Sequence, residues 1–201
     1  MKYLNNPFDF PELEGVFDDL DWNEYVMIPF NWILSKKEFS KRSITHFFIY
    51  DYQFERVWKR PDLYVKPLKK TAFVLSPDFS LYFNLPLAQQ IWNTYRNRAV
   101  GKYWESQGLW VIPSVSWSDE RSYDFCFAGI PRNSVVAISS VGVKDFDMFE
   151  RGLAEMIQRL SPKTILCYGT DYLVNFPKTY YFFSYIQFIR QISKQKKKQE
   201  V

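Results

Sequence analysis

Serine hydroxyls and carboxylates recur where the apolar runs of this 201-residue chain end. They fall at Asp51; at Ser76, Asp78 and Ser80; at Ser114, Ser116 and Trp117; at Ser139, Ser140 and Gly142; and at Tyr168, Gly169 and Asp171. Carboxylates carry protons and hydroxyls both donate and accept, so such groups suit a polar ligand or acid–base chemistry. Asp78, Ser80, Ser116, Asp119 and Arg121 are the candidate catalytic residues. Asp51, Arg96, Arg98, Trp117, Ser139 and Tyr168 are the candidate ligand contacts. The densest polar run is Ser114 to Arg121, Ser-Val-Ser-Trp-Ser-Asp-Glu-Arg. A helix N-terminus there would offer N–H groups to an anion, and Arg121 a bidentate contact. Asp119 and Glu120 already occupy that positive end. The plainer role of such residues is capping, which fits Ser118 and Asp145 best.

Several chemistries lack their parts. His46 is the sole histidine, which excludes multi-histidine metal sites and leaves a Ser-His-Asp triad dependent on one residue. There is no GxSxG elbow, no GxxxxGK[ST] phosphate loop and no GxGxxG fingerprint. Asp51, Asp78 and Asp119 are the carboxylates a Mg²⁺ would need. They show no spacing signature, so no metal site is assigned and no cofactor is identified.

These groups need a scaffold that brings strand ends together. Apolar runs at 44–50, 71–75, 109–115, 134–139 and 164–168 read as strands, the last being the final one. The last four are near-continuous rather than alternating, as in parallel strands covered on both faces. Between them lie helical patterns. One opens at Asn84 and Pro86 and buries Ala88, Ile91, Trp92, Tyr95, Ala99 and Tyr103 on one face. Arg96, Asn97 and Lys102 fall largely off that face, and Gly108 closes the helix. Ser118 caps a short helix over 119–127, ended by Gly129. Asp145 opens another that carries Phe149, Leu153, Met156, Ile157 and Leu160 until Ser161-Pro162. The expectation is an α/β fold: a single domain of repeated strand–helix units with a mainly parallel sheet. Its form is an open sheet or a partial or compact TIM-like barrel, because a full eightfold barrel typically takes about 250 residues. Ligands in such folds bind at the carboxyl ends of the strands, where the polar residues fall. Residues 1–24 read as an acidic arm, 25–193 as the domain, and 194–201 as a basic tail.

Charge and composition narrow the partners. The net charge is +4, yet the first 25 residues carry Asp9, Glu12, Glu14, Asp18, Asp19, Asp21 and Glu24 against Lys2. Lys194, Lys196, Lys197 and Lys198 close the chain, and Lys59, Arg60, Lys66, Lys69 and Lys70 form a second basic run beside Trp58 and Tyr64. With 19 Phe, 14 Tyr and 7 Trp, aromatic side chains beside cations suit stacking on single-stranded nucleic acid. Cys126 and Cys167 lie in apolar surroundings without a CxxC pattern, which points to reduced thiols. The acidic N-terminus does not read as a signal peptide. The most apolar stretch, 179–189, is too short and tyrosine-rich for a membrane span. The expected setting is cytoplasmic, with no membrane.

The segment from Val26 to Gly169 resembles the DUF4417 family of domains of unknown function. The resemblance rests on Ile28-Pro29-Phe30, Phe48-Ile49-Tyr50-Asp51, Ser76-Pro77-Asp78-Phe79-Ser80 and Tyr95-Arg96-Asn97-Arg98 with Gly101 and Trp104. It continues through Val111-Ile112-Pro113, Ser116-Trp117-Ser118-Asp119, Gly129-Ile130-Pro131, Ser139-Ser140-Val141-Gly142, Gly152 and Tyr168-Gly169. It implies a phage, plasmid or other mobile-element setting and supplies no reaction. Three readings follow. The first is an accessory protein that binds or processes nucleic acid. The second is a small enzyme or ligand-binding protein using the strand-end rim. The third is an inhibitor that binds a host defence protein through its aromatic surface and acidic arm.

Overall fold

The computed structural model describes residues 6–35, 39–170 and 180–190. The strands are β1 (Val26–Pro29), β2 (Ser43–His46), β3 (Phe73–Leu75), β4 (Val111–Ile112), β5 (Val135–Ser139), β6 (Thr164–Tyr168) and β7 (Tyr180–Phe183). Every strand pairing is parallel, in the orders β1-β2-β3-β4 and β5-β6-β7. A parallel bridge between Ser114 and Ala137 joins the two sheets, so the strands stand side by side in chain order. Pro113 ends β4 because it has no N–H to give. Its carbonyl still accepts from the Ala137 N–H at 2.8 Å.

The expected α/β class is the one observed, and the sheet curls. The Tyr168 ring on β6 lies 4.2 Å from the His46 ring on β2. Strands so far apart in the order touch only when the sheet bends back on itself, which makes a partial barrel. Alternate residues of a strand point to opposite faces. Accordingly Val135, Ala137, Leu166 and Tyr168 join the interior cluster with Met27, Ile44 and Val74. Val136, Ile138, Ile165 and Cys167 face outward and are covered by Phe149, Leu153, Met156 and Leu160.

Those four residues belong to α5 (Phe146–Leu160), which follows α1 (Phe30–Ile33), α2 (Arg56–Lys59), α3 (Asp62–Leu68) and α4 (Leu87–Ser106). Asp145 caps α5 as expected, accepting from the Met148 N–H at 2.9 Å. Ser161 ends it in the left-handed conformation.

Several expectations are corrected. Asn84 does not cap α4: the helix starts at Leu87 behind Pro86. Ser118 is not an N-cap either. A 3₁₀ turn, Glu120–Asp124, replaces the helix over 119–127, and Asp119 caps it by accepting from the Arg121 N–H. The strand at 164–168 is not the final one: β7 follows it, within the tyrosine-rich stretch 179–189. The largest correction is the face of α4. Its buried side is Gln90, Asn93, Thr94, Arg96, Asn97, Arg98, Val100, Gly101 and Trp104, while Leu87 and Trp92 are exposed. Periodicity counts apolar residues, but here the polar ones find partners under the helix. Trp92 packs sideways, edge-on against Trp58 of α2.

Residues 6–24 run across the body. Phe10, Leu13, Val16 and Trp22 are buried, and Val16 bridges antiparallel to Val135. Gly15 takes φ 73°, and a Cβ there would stand 2.6 Å from Pro131. Asp171 and the Lys194–Lys198 run lie outside the described residues.

Candidate functional site

The carboxyl ends of β2, β3 and β4 open into a polar cluster roofed by α4. Asp78 follows β3, Ser116 follows β4, and Asp51 lies in the turn after β2. Asp51 accepts from the Ser80 N–H at 3.1 Å and the Ser80 hydroxyl at 2.7 Å, which ties two strand-end loops together. Asn93 of α4 donates to the Ser80 carbonyl at 2.7 Å. Below them Ser76 and Ser114 bridge β3 to β4: the Ser114 hydroxyl donates to the Ser76 carbonyl at 2.7 Å and accepts from Asn97 at 2.9 Å. Ser118 donates to Gln90 at 2.6 Å. The polar face of α4 is thus satisfied by loop carbonyls and hydroxyls, as buried polar groups must be.

Two arginines of α4 sit in this cluster. Arg98 is 2% exposed and donates to the Ala128 carbonyl at 2.9 Å, the Cys126 carbonyl at 2.7 Å and Asn97 at 2.6 Å. Burial lowers its pKa to about 10. Arg96 pairs with Glu55, donates to Asn93, and lies 3.9 Å above the Phe79 ring. Its Nε is buried without a partner.

Asp78 is the perturbed carboxyl. Burial pushes it up to about 7, Asp51 adds repulsion, and a hydrogen bond from Ser116 and the charge of Arg98 oppose the rise. Its Oδ1 is shut from solvent and has no hydrogen-bond partner. Alongside lies a cavity of about 10 Å³ lined by Phe79, Leu81, Asn93, Thr94, Asn97, Arg98, Ser116 and Cys126. That is room for one water, and the lining offers the polar partners a water needs. A carboxyl that titrates near neutrality beside a hydroxyl and a water-sized space can exchange a proton. The Cys126 thiol is raised by burial to about 12 and stays protonated. Among the described residues no group of three or more His, Cys, Asp or Glu side chains could hold a metal ion.

The structure thus brings Asp51, Asp78, Ser80, Ser116 and Arg98 together, with Arg96 at their edge. Asp119 and Arg121 stand apart as an exposed ion pair, and Arg121 also donates to the Phe83 carbonyl at 3.3 Å. Trp117 is a packing residue: it lies against Phe149 and occupies the space a Cβ on Gly152 would need, 2.1 Å from its Nε1. Ser139 and Tyr168 lie on β5 and β6, where the Ser139 hydroxyl donates to the Tyr168 carbonyl at 3.2 Å. His46 is buried between Phe48 and Tyr168. Burial lowers it to about 3, and its Nδ1 accepts from the Phe48 N–H, so the neutral ring carries its proton on an unpartnered Nε2.

Gln90, Asn93, Thr94 and Asn97 belong to the cluster although none is among the candidate site residues. Their signal is a polar stripe, Gln90, Asn93, Thr94, Asn97 and Gly101, at helical spacing. Tyr50 and Tyr52, also absent from those candidates, stand on the same rim 72% and 78% exposed.

Residues 3–188 match the family model described as Domain of unknown function (DUF4417). The chain belongs to this family. Its curated relatives include the Gene 1 protein of Mycobacterium phage L5, 46% identical over 128 residues that cover 62% of this chain and 56% of that protein. The Gene 1 protein of Mycobacterium phage D29 is 43% identical over 128 residues, covering 62% of this chain and 47% of that one. The chain therefore spans about half the length of these relatives. No solved structure matches. Both relatives are phage proteins, in agreement with the mobile-element setting the resemblance implies. Among the described residues no helix is long and apolar enough to cross a membrane.

Proposed function

We propose that this phage accessory protein binds nucleic acid through the crossover from β2 to β3, residues 50–70. One observation carries the reading. The acids of this crossover are engaged: Asp51 by Ser80, Glu55 by Arg96 and Asp62 by Arg60. Lys59, Lys66 and Lys69 are exposed and make no ion pair among the described residues. Arg56, Lys59, Arg60, Lys66, Lys69 and Lys70 outnumber these three carboxylates, so the crossover presents net positive charge to a phosphate backbone. The buried thiols Cys126 and Cys167 accord with a reducing cytoplasm. The test is fluorescence anisotropy with labelled single- and double-stranded DNA and RNA at low and moderate salt. Affinity should fall linearly with salt on a logarithmic plot. Absence of binding at low salt would end this reading.

Arg96 and Arg98 do not support the nucleic-acid reading as direct contacts, since both are buried and engaged within the protein.

A second reading rests on the orphaned Oδ1 of Asp78, whose neighbours Phe79 and Ser116 line the water-sized cavity. Here the rim binds a small polar ligand and Asp78 exchanges a proton with it, Ser116 holding the carboxyl in place. Crystals soaked with candidate ligands, or chemical-shift changes at Ser116 and Asn97, would test it. Unchanged shifts across a library of small polar compounds would remove it.

A further inference from the structure

The turn after β2 carries an unusual surface. Tyr50 and Tyr52 expose 72% and 78% of their areas, yet their rings lie nearly parallel, 16° apart with centroids separated by 6.0 Å. Large exposed aromatic groups mark interaction sites more often than scattered surface residues do. This pair is also held rigidly. Asp51, between the two, is pinned by two hydrogen bonds from Ser80. Gln53 accepts from Asn31 at 2.7 Å. The Asp51 carbonyl accepts from the N–H groups of Phe54 and Glu55, at 3.0 and 2.8 Å, which closes a tight turn just before α2. Tyr52, Arg56 and Lys59 are all exposed, and the Arg56 guanidinium lies 6.0 Å from the Tyr64 ring. Phe54 and Val57 are fully buried and anchor the turn and α2 to the core. The exposed surface therefore passes from two aromatic rings on the turn to two cations on α2.

We infer that Tyr50 and Tyr52 are a base-stacking platform for single-stranded nucleic acid, with Arg56 and Lys59 taking the adjoining phosphates. The inference rests on the nucleic-acid reading above and names its ligand class and its seat. Stacking needs a base whose face is free, which a duplex does not offer along its length, whereas every unpaired base has such a face. Electrostatics favours the same occupant over a protein surface. Beside the rings the exposed charges are the cations of α2, and the nearest carboxylates, Asp51 and Glu55, are already engaged. Preorganised rings bind with little ordering cost, because the loop is already fixed.

The test is anisotropy with a labelled oligothymidylate and a labelled hairpin duplex, on the full chain and three variants. Tyr50→Ala with Tyr52→Ala should weaken oligothymidylate binding at least tenfold, leave duplex binding unchanged and keep the salt slope. Tyr50→Phe with Tyr52→Phe should restore the affinity, since stacking does not need the hydroxyls. Lys59→Ala should lower the single-strand salt slope by about 0.7. Both rings lie outside the core, so circular dichroism should show every variant folded. Wild-type affinity in the double alanine variant, or equal affinity of the full chain for duplex and single strand, would overturn the platform and leave the nucleic-acid reading standing. No binding of either probe by the full chain would overturn both.

Discussion

Asp78 and His46 change protonation between folded and unfolded chain across the neutral and mildly acidic range, and their effects oppose. Asp78 ionises at about 7 when folded and near its ordinary 3.8 when unfolded. The folded protein holds that proton longer, so this group costs stability as pH rises from about 4 to about 7. His46 is neutral down to about 3 when folded and titrates at 6.5 when unfolded. Its contribution is complete above 6.5 and is lost as pH falls toward 3. Between about pH 4 and 6.5 folding in effect moves a proton from His46 to Asp78, and the two slopes offset. Asp78→Asn removes one side of this balance. It should stabilise the protein by about 1–3 kcal/mol above pH 7 and leave a stability that rises with pH between about 4 and 6.5. Urea titrations across pH measure it, and an unchanged profile would contradict the burial assigned to Asp78. Arg98→Met should cost about 3–5 kcal/mol, because it strands the Ala128 and Cys126 carbonyls that the guanidinium now satisfies. Asp78 and Ser116 were legible as strand-end residues from the polarity that follows each apolar run. Arg98 as a buried structural cation was not, because charge argues for the surface unless the partners are known.

At the scale of elements, Gly152 and Trp117 show how α5 is seated. Gly152→Ala would ordinarily strengthen a helix by about 1 kcal/mol. Here the added carbon would overlap the indole, so a net loss of about 1–3 kcal/mol is expected in thermal unfolding. Replacing Trp117 by Leu in the same chain should reduce that loss, a coupling that a double-mutant cycle reads directly. β3 to β6 were legible because buried parallel strands are written as unbroken apolar runs. β2 is Ser-Ile-Thr-His and stops at His46, short of the apolar run 44–50 expected there, and β1 was not expected. β7 was obscured by its tyrosines, which read equally as a packing surface. The orientation of α4 was misread because its apolar residues pack sideways on α2 and on flanking aromatics. Its amides and arginines meanwhile complete the loops at the strand ends. A helix that roofs a polar site inverts the usual rule, and the stripe Gln90, Asn93, Asn97 is the mark of that inversion.

For the molecule as a whole, the parallel strands pair in chain order, each strand adding to the last. The expected strand–helix progression is visible as a curled wall with its polar rim at one end, and the rim was legible before the curl was. The segment holding Phe10, Leu13, Val16 and Trp22 breaks that local order. Val16 closes its bridge only on Val135, Leu13 donates to the Gly129 carbonyl, and Lys163 reaches back to Asp19. During synthesis Trp22 meets Tyr25 and Phe73 early, whereas Val16 and the Leu13 N–H wait for Val135 and Gly129. Glu12, Glu14, Asp18 and Asp19, interleaved there, supply the charge expected to keep that waiting stretch in solution.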